Sequence, residues 1–233
     1  TYLSDLLRLQ YAENSGAFLS LGAGLSSQLR YWALQVLPVL LLLGLAPVAG
    51  ADVNKGLAAY DVGDYETAFA ECMPLAQEGD MTAQFCVGRM YANGFGVMMD
   101  DAEALKWYGL AAESGHAEAQ YSLGVMYANG WGVPMNDEEA AKYYRQSAEQ
   151  GFVQAMSALA YVTYRGIGVE EDLVAGYMWY HVAAELGDFS AISHRDDLAG
   201  KLTQDDIANA RADAAKWLEK FDGKTLHAGR ISH

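Results

Sequence analysis

The chain has 233 residues, half of them apolar, and carries 15 lysines and arginines against 30 aspartates and glutamates, for a formal net charge of −15. Such acidity repels phosphate backbones, so the composition argues against nucleic acid as a partner. Two cysteines and five histidines without metal-ligand spacing argue against a metal site, and no cofactor is predicted. Frequent alanine, 24 glycines and only four prolines favour closely packed helices.

The first part of the chain contains a long uncharged run, residues 31–51, between Arg30 and Asp52. A membrane span needs about 20 apolar residues, and this run is that long. The same letters also fit a secretory signal, with a basic residue, an apolar core at residues 33–45 and small residues before a cleavage point ahead of Asp52. Basic residues on the leading side predict that the remainder of the chain is exported, with the run as a membrane anchor if it is left uncleaved.

Residues 14–18, ahead of this run, read NSGAF. This stretch resembles the amino-terminal part of lipoprotein signal peptidases, which carry an Asn-x-Gly-Ala-Phe sequence before a membrane helix. Those enzymes hydrolyse with two aspartates in later stretches, and neither stretch follows residue 45 here. The resemblance therefore implies that residues 1–30 are a leader fragment without the catalytic pair. An inactive, peptidase-like membrane protein is one alternative function for the chain.

From residue 81 onward the sequence repeats itself every 36 residues. The letters MYANGFGV at residues 90–97 return as MYANGWGV at residues 126–133. Three units follow one another over residues 81–188. A period of this length is typical of helical-hairpin arrays, in which each unit buries its apolar side against its neighbours.

Each unit contains the signals of two helices. The first helix has apolar residues at helical spacing and ends at a Gly-x-Gly loop, where glycine readily takes the left-handed conformation. The second helix begins at Asp100, Asn136 or Asp172, whose side-chain oxygens cap free backbone N–H groups. Glu103 and Glu139 stand three residues further on and predict reciprocal capping boxes in two of the units.

Residues 117–151 read AEAQYSLGVMYANGWGVPMNDEEAAKYYRQSAEQG, with equivalent stretches on either side. This pattern resembles the Sel-one-like repeats, short relatives of tetratricopeptide repeats, and the resemblance covers residues 52–221. It implies an all-α solenoid of stacked antiparallel helix hairpins. The implied segments are a leading hairpin at residues 52–80, three repeats at 81–188, capping helices at 189–221 and a flexible tail at 222–233.

The same resemblance implies a non-catalytic scaffold or adaptor in the envelope of a Gram-negative bacterium. The chain would be periplasmic, or anchored in the inner membrane and facing the periplasm, with a protein or peptide partner bound on a concave face formed by the first helices. A structural envelope protein that makes its contacts through the anchor alone is a second alternative. Helix phase directs four polar side chains toward the concave face. They are Gln84, Arg89, Gln120 and Gln154.

Two cysteines, Cys72 and Cys86, stand at equal distances on either side of Gly79. Positions equidistant from the turn of an antiparallel helix pair can face each other, and an oxidising compartment permits a bridge between them. The alternative is that both are small buried apolar side chains.

The middle residues of the three Gly-x-Gly loops are Phe95, Trp131 and Ile167. Two interpretations of these large side chains remain open. They are either anchors for a partner peptide, or they fold back over their own units and contribute to the core.

Overall fold

A computed structural model describes residues 51–222 of the chain. Nearly all of the predicted signal or membrane run, the peptidase-like leader and nearly all of the tail lie outside this range. Ten α-helices and no strand occur between residues 51 and 222, which confirms the all-α prediction for that part of the chain. None of these helices is long and apolar enough to cross a membrane. The helices are α1 Val53–Asp61, α2 Tyr65–Glu78, α3 Met81–Asn93, α4 Asp101–Glu113, α5 Ala117–Asn129, α6 Asp137–Glu149, α7 Val153–Arg165, α8 Leu173–Glu185, α9 Phe189–Ala199 and α10 Gln204–Asp222.

The helices form successive hairpins that pack in chain order. From α1 to α9, each helix packs against the next one along the chain, as a solenoid requires. The pairs α3/α4, α5/α6 and α7/α8 are the three repeats, and α1/α2 is the leading hairpin. Helix α10 departs from this order, because it packs on α8.

Helix α10 closes the array with two aromatic side chains. The Trp217 ring meets the Trp179 ring edge to face at a centroid distance of 5.6 Å, and Phe221 stacks on Trp217 at 4.6 Å. The Phe221 ring also covers Gly151, in the turn between the second and third repeats, where an added Cβ would collide with the ring. The last helix therefore folds back over the third repeat.

The predicted helix ends are confirmed in every repeat. Gly94, Gly130 and Gly166 end the first helices in the left-handed conformation, with φ values of 69°, 72° and 64°. At the start of α4, one oxygen of the Asp100 side chain accepts hydrogen bonds from two backbone N–H groups, and Asn136 does the same for α6. Each cap satisfies donors that would otherwise lack partners.

The glutamate half of the predicted capping boxes is wrong. The backbone N–H of Asp100 already donates to the carbonyl of Tyr91 in α3, at 3.0 Å, so it is not free to bind Glu103. The Glu103 carboxylate instead accepts hydrogen bonds from Lys106 Nζ and Trp107 Nε1, both at 3.0 Å. The corresponding carboxylate in the second repeat likewise pairs with a lysine three residues along.

The second glycine of each loop lies against the preceding hairpin. A Cβ added to Gly132 would lie 2.5 Å from the carbonyl oxygen of Asp101, the first residue of α4. The loop glycines of the first and third repeats press in the same way on the first residues of α2 and α6. Only a residue without a side chain fits, and the contact fixes how closely successive hairpins approach.

Two glycines inside first helices allow close packing within a hairpin. A Cβ on Gly88 would lie 2.6 Å from the Tyr108 ring, and one on Gly124 would lie 2.5 Å from the Tyr144 ring. Both tyrosines are buried. Each glycine lowers helix stability by about 1 kcal/mol, and the close packing of the tyrosine ring against it offsets this loss.

We predict that Gly124→Ala and Gly109→Ala change stability in opposite directions. Gly124→Ala should lower the free energy of unfolding by about 1 to 3 kcal/mol, because overpacking against Tyr144 outweighs the gain in helix propensity. Gly109, inside α4, has no atom beyond the backbone of its own helix within 4 Å of its added Cβ, so Gly109→Ala should raise the free energy by about 0.5 to 1 kcal/mol. Urea unfolding measures both variants. A stabilised Gly124→Ala would contradict the packing argument.

Candidate functional site

Several side chains of the first helices are accessible, while others contribute to the three clusters of buried residues. Two accessible register positions lie seven residues apart, on one side of each first helix. We call these two positions in the three repeats the first-helix face. Its members are Thr82, Arg89, Glu118, Val125, Gln154 and Tyr161, which are half-buried or exposed.

Arg89 is the cation of this face. Its guanidinium lies over the Tyr60 ring, 4.1 Å from the ring centroid, and 5.6 Å from the centroid of Phe85. Within residues 51–222, no carboxylate lies close enough to form an ion pair with Arg89. The rings hold the charge in place through cation–π attraction and leave its hydrogen-bond donors to a partner carboxylate, which a guanidinium binds well.

The pKa values of Glu118 and His116, at the start of α5, are both shifted. Burial raises the pKa of Glu118, and the positive charge of Arg89 partly offsets that rise. Burial also lowers the pKa of His116, against the opposing effect of Asp80. A half-buried imidazole and a partly desolvated carboxyl make the start of α5 sensitive to pH.

His116 has a structural role that the sequence analysis did not find. Its Nδ1 accepts a hydrogen bond from the backbone N–H of Ala119 at 3.3 Å and so caps α5, while its ring stacks on Phe85 at 4.5 Å. The signal was present in the repeat register, because the residue 36 positions earlier is Asp80, which caps α3 in the same way.

The predicted partner-binding residues divide into two pairs. Gln84 and Gln120 are only 5% and 6% exposed, and each side-chain amide donates to a carbonyl of the preceding helix at 3.2 Å. Both glutamines therefore hold successive helices together and face away from solvent. Arg89 and Gln154 are the accessible members of the set, and a binding role for them stays a prediction.

The structure brings Cys72 and Cys86 together between α2 and α3. Their Sγ atoms lie 2.8 Å apart, and the two side chains are 0% and 1% exposed. Both are free thiols in this structure. The hydrogen bond to Cys86, together with burial, raises the pKa of the Cys72 thiol, which makes it a weak nucleophile in the folded chain.

The three loop residues have different environments. Phe95 stacks on Tyr65 of the leading hairpin at 4.5 Å, and Ile167 packs against the core of the third repeat. Trp131 is 50% exposed. The core interpretation therefore holds for Phe95 and Ile167, although Phe95 packs on the preceding hairpin and not only on its own unit.

No cluster of histidine, cysteine and carboxylate side chains suited to a metal ion occurs in the part of the chain that the structure describes. The accessible features of the repeats include the first-helix face, whose guanidinium has no ion-pair partner within residues 51–222, and the exposed loop residue Trp131.

Comparison with known protein families finds a match over the repeats. The Sel1 repeat family matches residues 82–116, 117–152 and 153–188, which correspond to the three hairpins α3/α4, α5/α6 and α7/α8. Proteins built from Sel1 repeats generally act as scaffolds for protein–protein interaction. No curated protein matches the sequence.

Solved structures with the same fold support this assignment. A Sel1 repeat protein from Oxalobacter formigenes is 35% identical, with a TM-score of 0.60, and the match covers 62% of this chain and 59% of that protein. The Escherichia coli protein c5321, a protective antigen of uropathogenic strains that displays an SLR fold, is 30% identical, with a TM-score of 0.62. That match covers 67% of this chain and 33% of c5321. The chain thus spans less than two thirds of either relative.

We predict that His116→Asn weakens the pH dependence of stability. Because the folded chain lowers the pKa of His116, the unfolded chain takes up the proton first as the pH falls below about 6.5, and the free energy of unfolding of the wild type falls. Asparagine keeps a cap acceptor without titrating. Urea unfolding at pH 7.5 and 5.5 should show the variant gaining about 1 kcal/mol on the wild type between the two pH values. An equal difference at both values would disprove the assignment.

Proposed function

We propose that the protein is a non-catalytic scaffold of the bacterial cell envelope that binds a peptide or protein segment on the concave face formed by its first helices. The observation that carries this proposal is the first-helix face. Three Sel1 repeats present different accessible side chains in one register, and Arg89 among them has no ion-pair partner in residues 51–222. Repeat arrays use such surfaces to read extended segments of a partner.

The residues of this face also define the chemistry of the partner. Arg89 suits a carboxylate, because its planar guanidinium can donate two parallel hydrogen bonds. Tyr161, 44% exposed at the equivalent position of the third repeat, offers an aromatic surface with a hydroxyl group. The partner segment therefore carries an acidic side chain or a free carboxyl terminus over the first repeat and an apolar or aromatic residue over the third.

We predict that Arg89→Ala weakens partner binding at least tenfold, because a hydrogen bond to a charged group contributes about 1.5 to 3 kcal/mol. Partners are captured by crosslinking the full chain in the cells that produce it, and the affinity of each is then measured with purified protein. Lys216→Ala is the matched control, since Lys216 is an exposed cation on α10. Equal binding by the wild type and Arg89→Ala would remove the first-helix face as the binding surface.

The envelope location rests on residues 31–51 and is part of the proposal. The uncharged run between Arg30 and Asp52 supports export, either as a cleaved signal or as a retained anchor. Amino-terminal sequencing of the protein from cells distinguishes the two, because a cleaved chain begins near Asp52. Recovery of the chain from the cytosol alone would contradict the envelope proposal.

The cysteine pair provides an independent test of that location. In an oxidising compartment we expect Cys72 and Cys86 to form a disulfide by exchange with an oxidising dithiol protein, whose own disulfide is reduced to two thiols. Because both sulfurs are buried, the bridge should form before the hairpins finish packing.

We predict that the protein taken from cells and denatured has no alkylatable thiol until it is reduced, and then has two, since the chain contains only two cysteines. The bridge closes a loop of about 15 residues and should add about 3 kcal/mol to the free energy of unfolding. Reductant should therefore destabilise the wild type and leave the double variant Cys72→Ala, Cys86→Ala unaffected. Two free thiols in the unreduced protein would refute the bridge.

A further inference from the structure

The third repeat contains a cavity, which is present because small side chains replace large ones at two positions. It has a volume of about 550 Å³ and opens beside the Trp179 ring. Its lining includes Arg145, Thr163, Glu170, Glu171, Ala175 and Trp179. The cavity lies against α8 and the loop before it, and none of its lining residues belongs to the first-helix face.

Comparison between repeats explains the empty space. Position 163 is a threonine where the first and second repeats have Tyr91 and Tyr127. Position 175 is an alanine where those repeats have glutamates, one of which accepts a hydrogen bond from the Trp107 indole. Two large side chains are thus replaced by small ones around the same ring position.

In the other two repeats, a lysine ammonium group lies over the aromatic ring that is equivalent to Trp179. Lys106 Nζ lies 5.0 Å from the Trp107 ring centroid, and Lys142 Nζ lies 5.3 Å from the Tyr143 ring centroid. The equivalent of these lysines next to Trp179 is Met178. The third repeat therefore keeps the aromatic ring of this arrangement and lacks its own ammonium group.

The lining of the cavity is polar and mostly acidic. Thr163 is 7% exposed, lines the cavity, and its Oγ1 is buried without a hydrogen-bond partner among residues 51–222. Glu170 and Glu171 line the same cavity, and the equivalent positions of the first repeat are methionines. Asp172 adds a third carboxylate, which caps α8 through the backbone N–H of Ala175. Arg145 is the one cation in the lining.

We propose that this cavity binds a guanidinium or ammonium group, supplied by an arginine or lysine side chain of a partner. The Trp179 ring attracts the cation, Glu170 and Glu171 pair with it, and Thr163 Oγ1 accepts one of its N–H groups. The external cation takes the place that lysine occupies in the other repeats. The strongly acidic chain favours a basic partner in addition.

Titration of the full chain with acetyl-Gly-Arg-Gly-amide tests the proposal, with the Trp179 indole resonance followed by NMR. The citrulline peptide is the matched control, since it has the same shape and no charge. We expect the arginine peptide to shift the resonance, and the citrulline peptide to bind at least tenfold more weakly. Methylguanidine distinguishes the source of the cation: tighter binding of the peptide indicates a protein side chain, and equal binding indicates a small molecule. Equal binding of the arginine and citrulline peptides, or no binding of either cation, would overturn the proposal.

Substitutions taken from the other repeats provide variants that preserve the fold. Thr163→Tyr fills the cavity, and the double variant Glu170→Met, Glu171→Met removes its charge, so each should weaken arginine-peptide binding at least tenfold. Arg145→Ala removes a repelling cation and should strengthen binding. Weaker binding by Arg145→Ala would contradict the assignment, because removing a positive charge from the lining should favour a cationic ligand. Arg89→Ala should leave this binding unchanged, so the two surfaces are tested separately.

Discussion

The contact between each Gly-x-Gly loop and the hairpin before it is the interaction on which the array depends. The second glycine of the loop presses on the first residue of the preceding hairpin's second helix, with no room for a Cβ at Gly132. Because the loop backbone touches the helix backbone directly, this contact sets the distance between the apolar faces of successive hairpins. Since every such contact joins nearest neighbours, stability accumulates hairpin by hairpin along the chain.

The repeat period and the helix ends could be predicted because single residue types act there through the local backbone. A glycine in the left-handed conformation and an aspartate at a helix start need no information from distant parts of the chain. The capping role predicted for Glu103 and Glu139 was wrong because it depended on a neighbouring helix. Their expected backbone partner was already bound to a carbonyl of the previous helix, and Glu103 found Lys106 and the Trp107 indole within reach.

The candidate interface was harder to predict for a related reason. Helix phase separates buried from open positions only when the direction of the neighbouring helix is known. Gln84 and Gln120 lie at one register position, and their amides reach the end of the helix before them. Arg89 lies five residues beyond Gln84 and is half-buried, with its guanidinium over the aromatic rings of Tyr60 and Phe85.

The three repeats share one backbone framework but carry different side chains at equivalent register positions. Arg89, Val125 and Tyr161 occupy one register position and differ in charge, size and polarity. Around the aromatic ring of the second helix, two repeats complete their own cluster of lysine and glutamate, and the third does not. The shared framework keeps the backbone constant, so each substitution changes surface chemistry at little structural cost.

The aromatic side chains of α10 determine where a further repeat could be added to the array. Trp217 and Phe221 cover the outer side of the third repeat and the turn at Gly151, surfaces that a further hairpin would need for docking. A duplicated 36-residue unit inserted between existing repeats meets the same neighbours as before. One appended after residue 188 has to displace the terminal helix first. Gene duplication can therefore lengthen the array by inserting repeats between existing ones, whereas a repeat added at this end would have to compete with α10 for its docking surface.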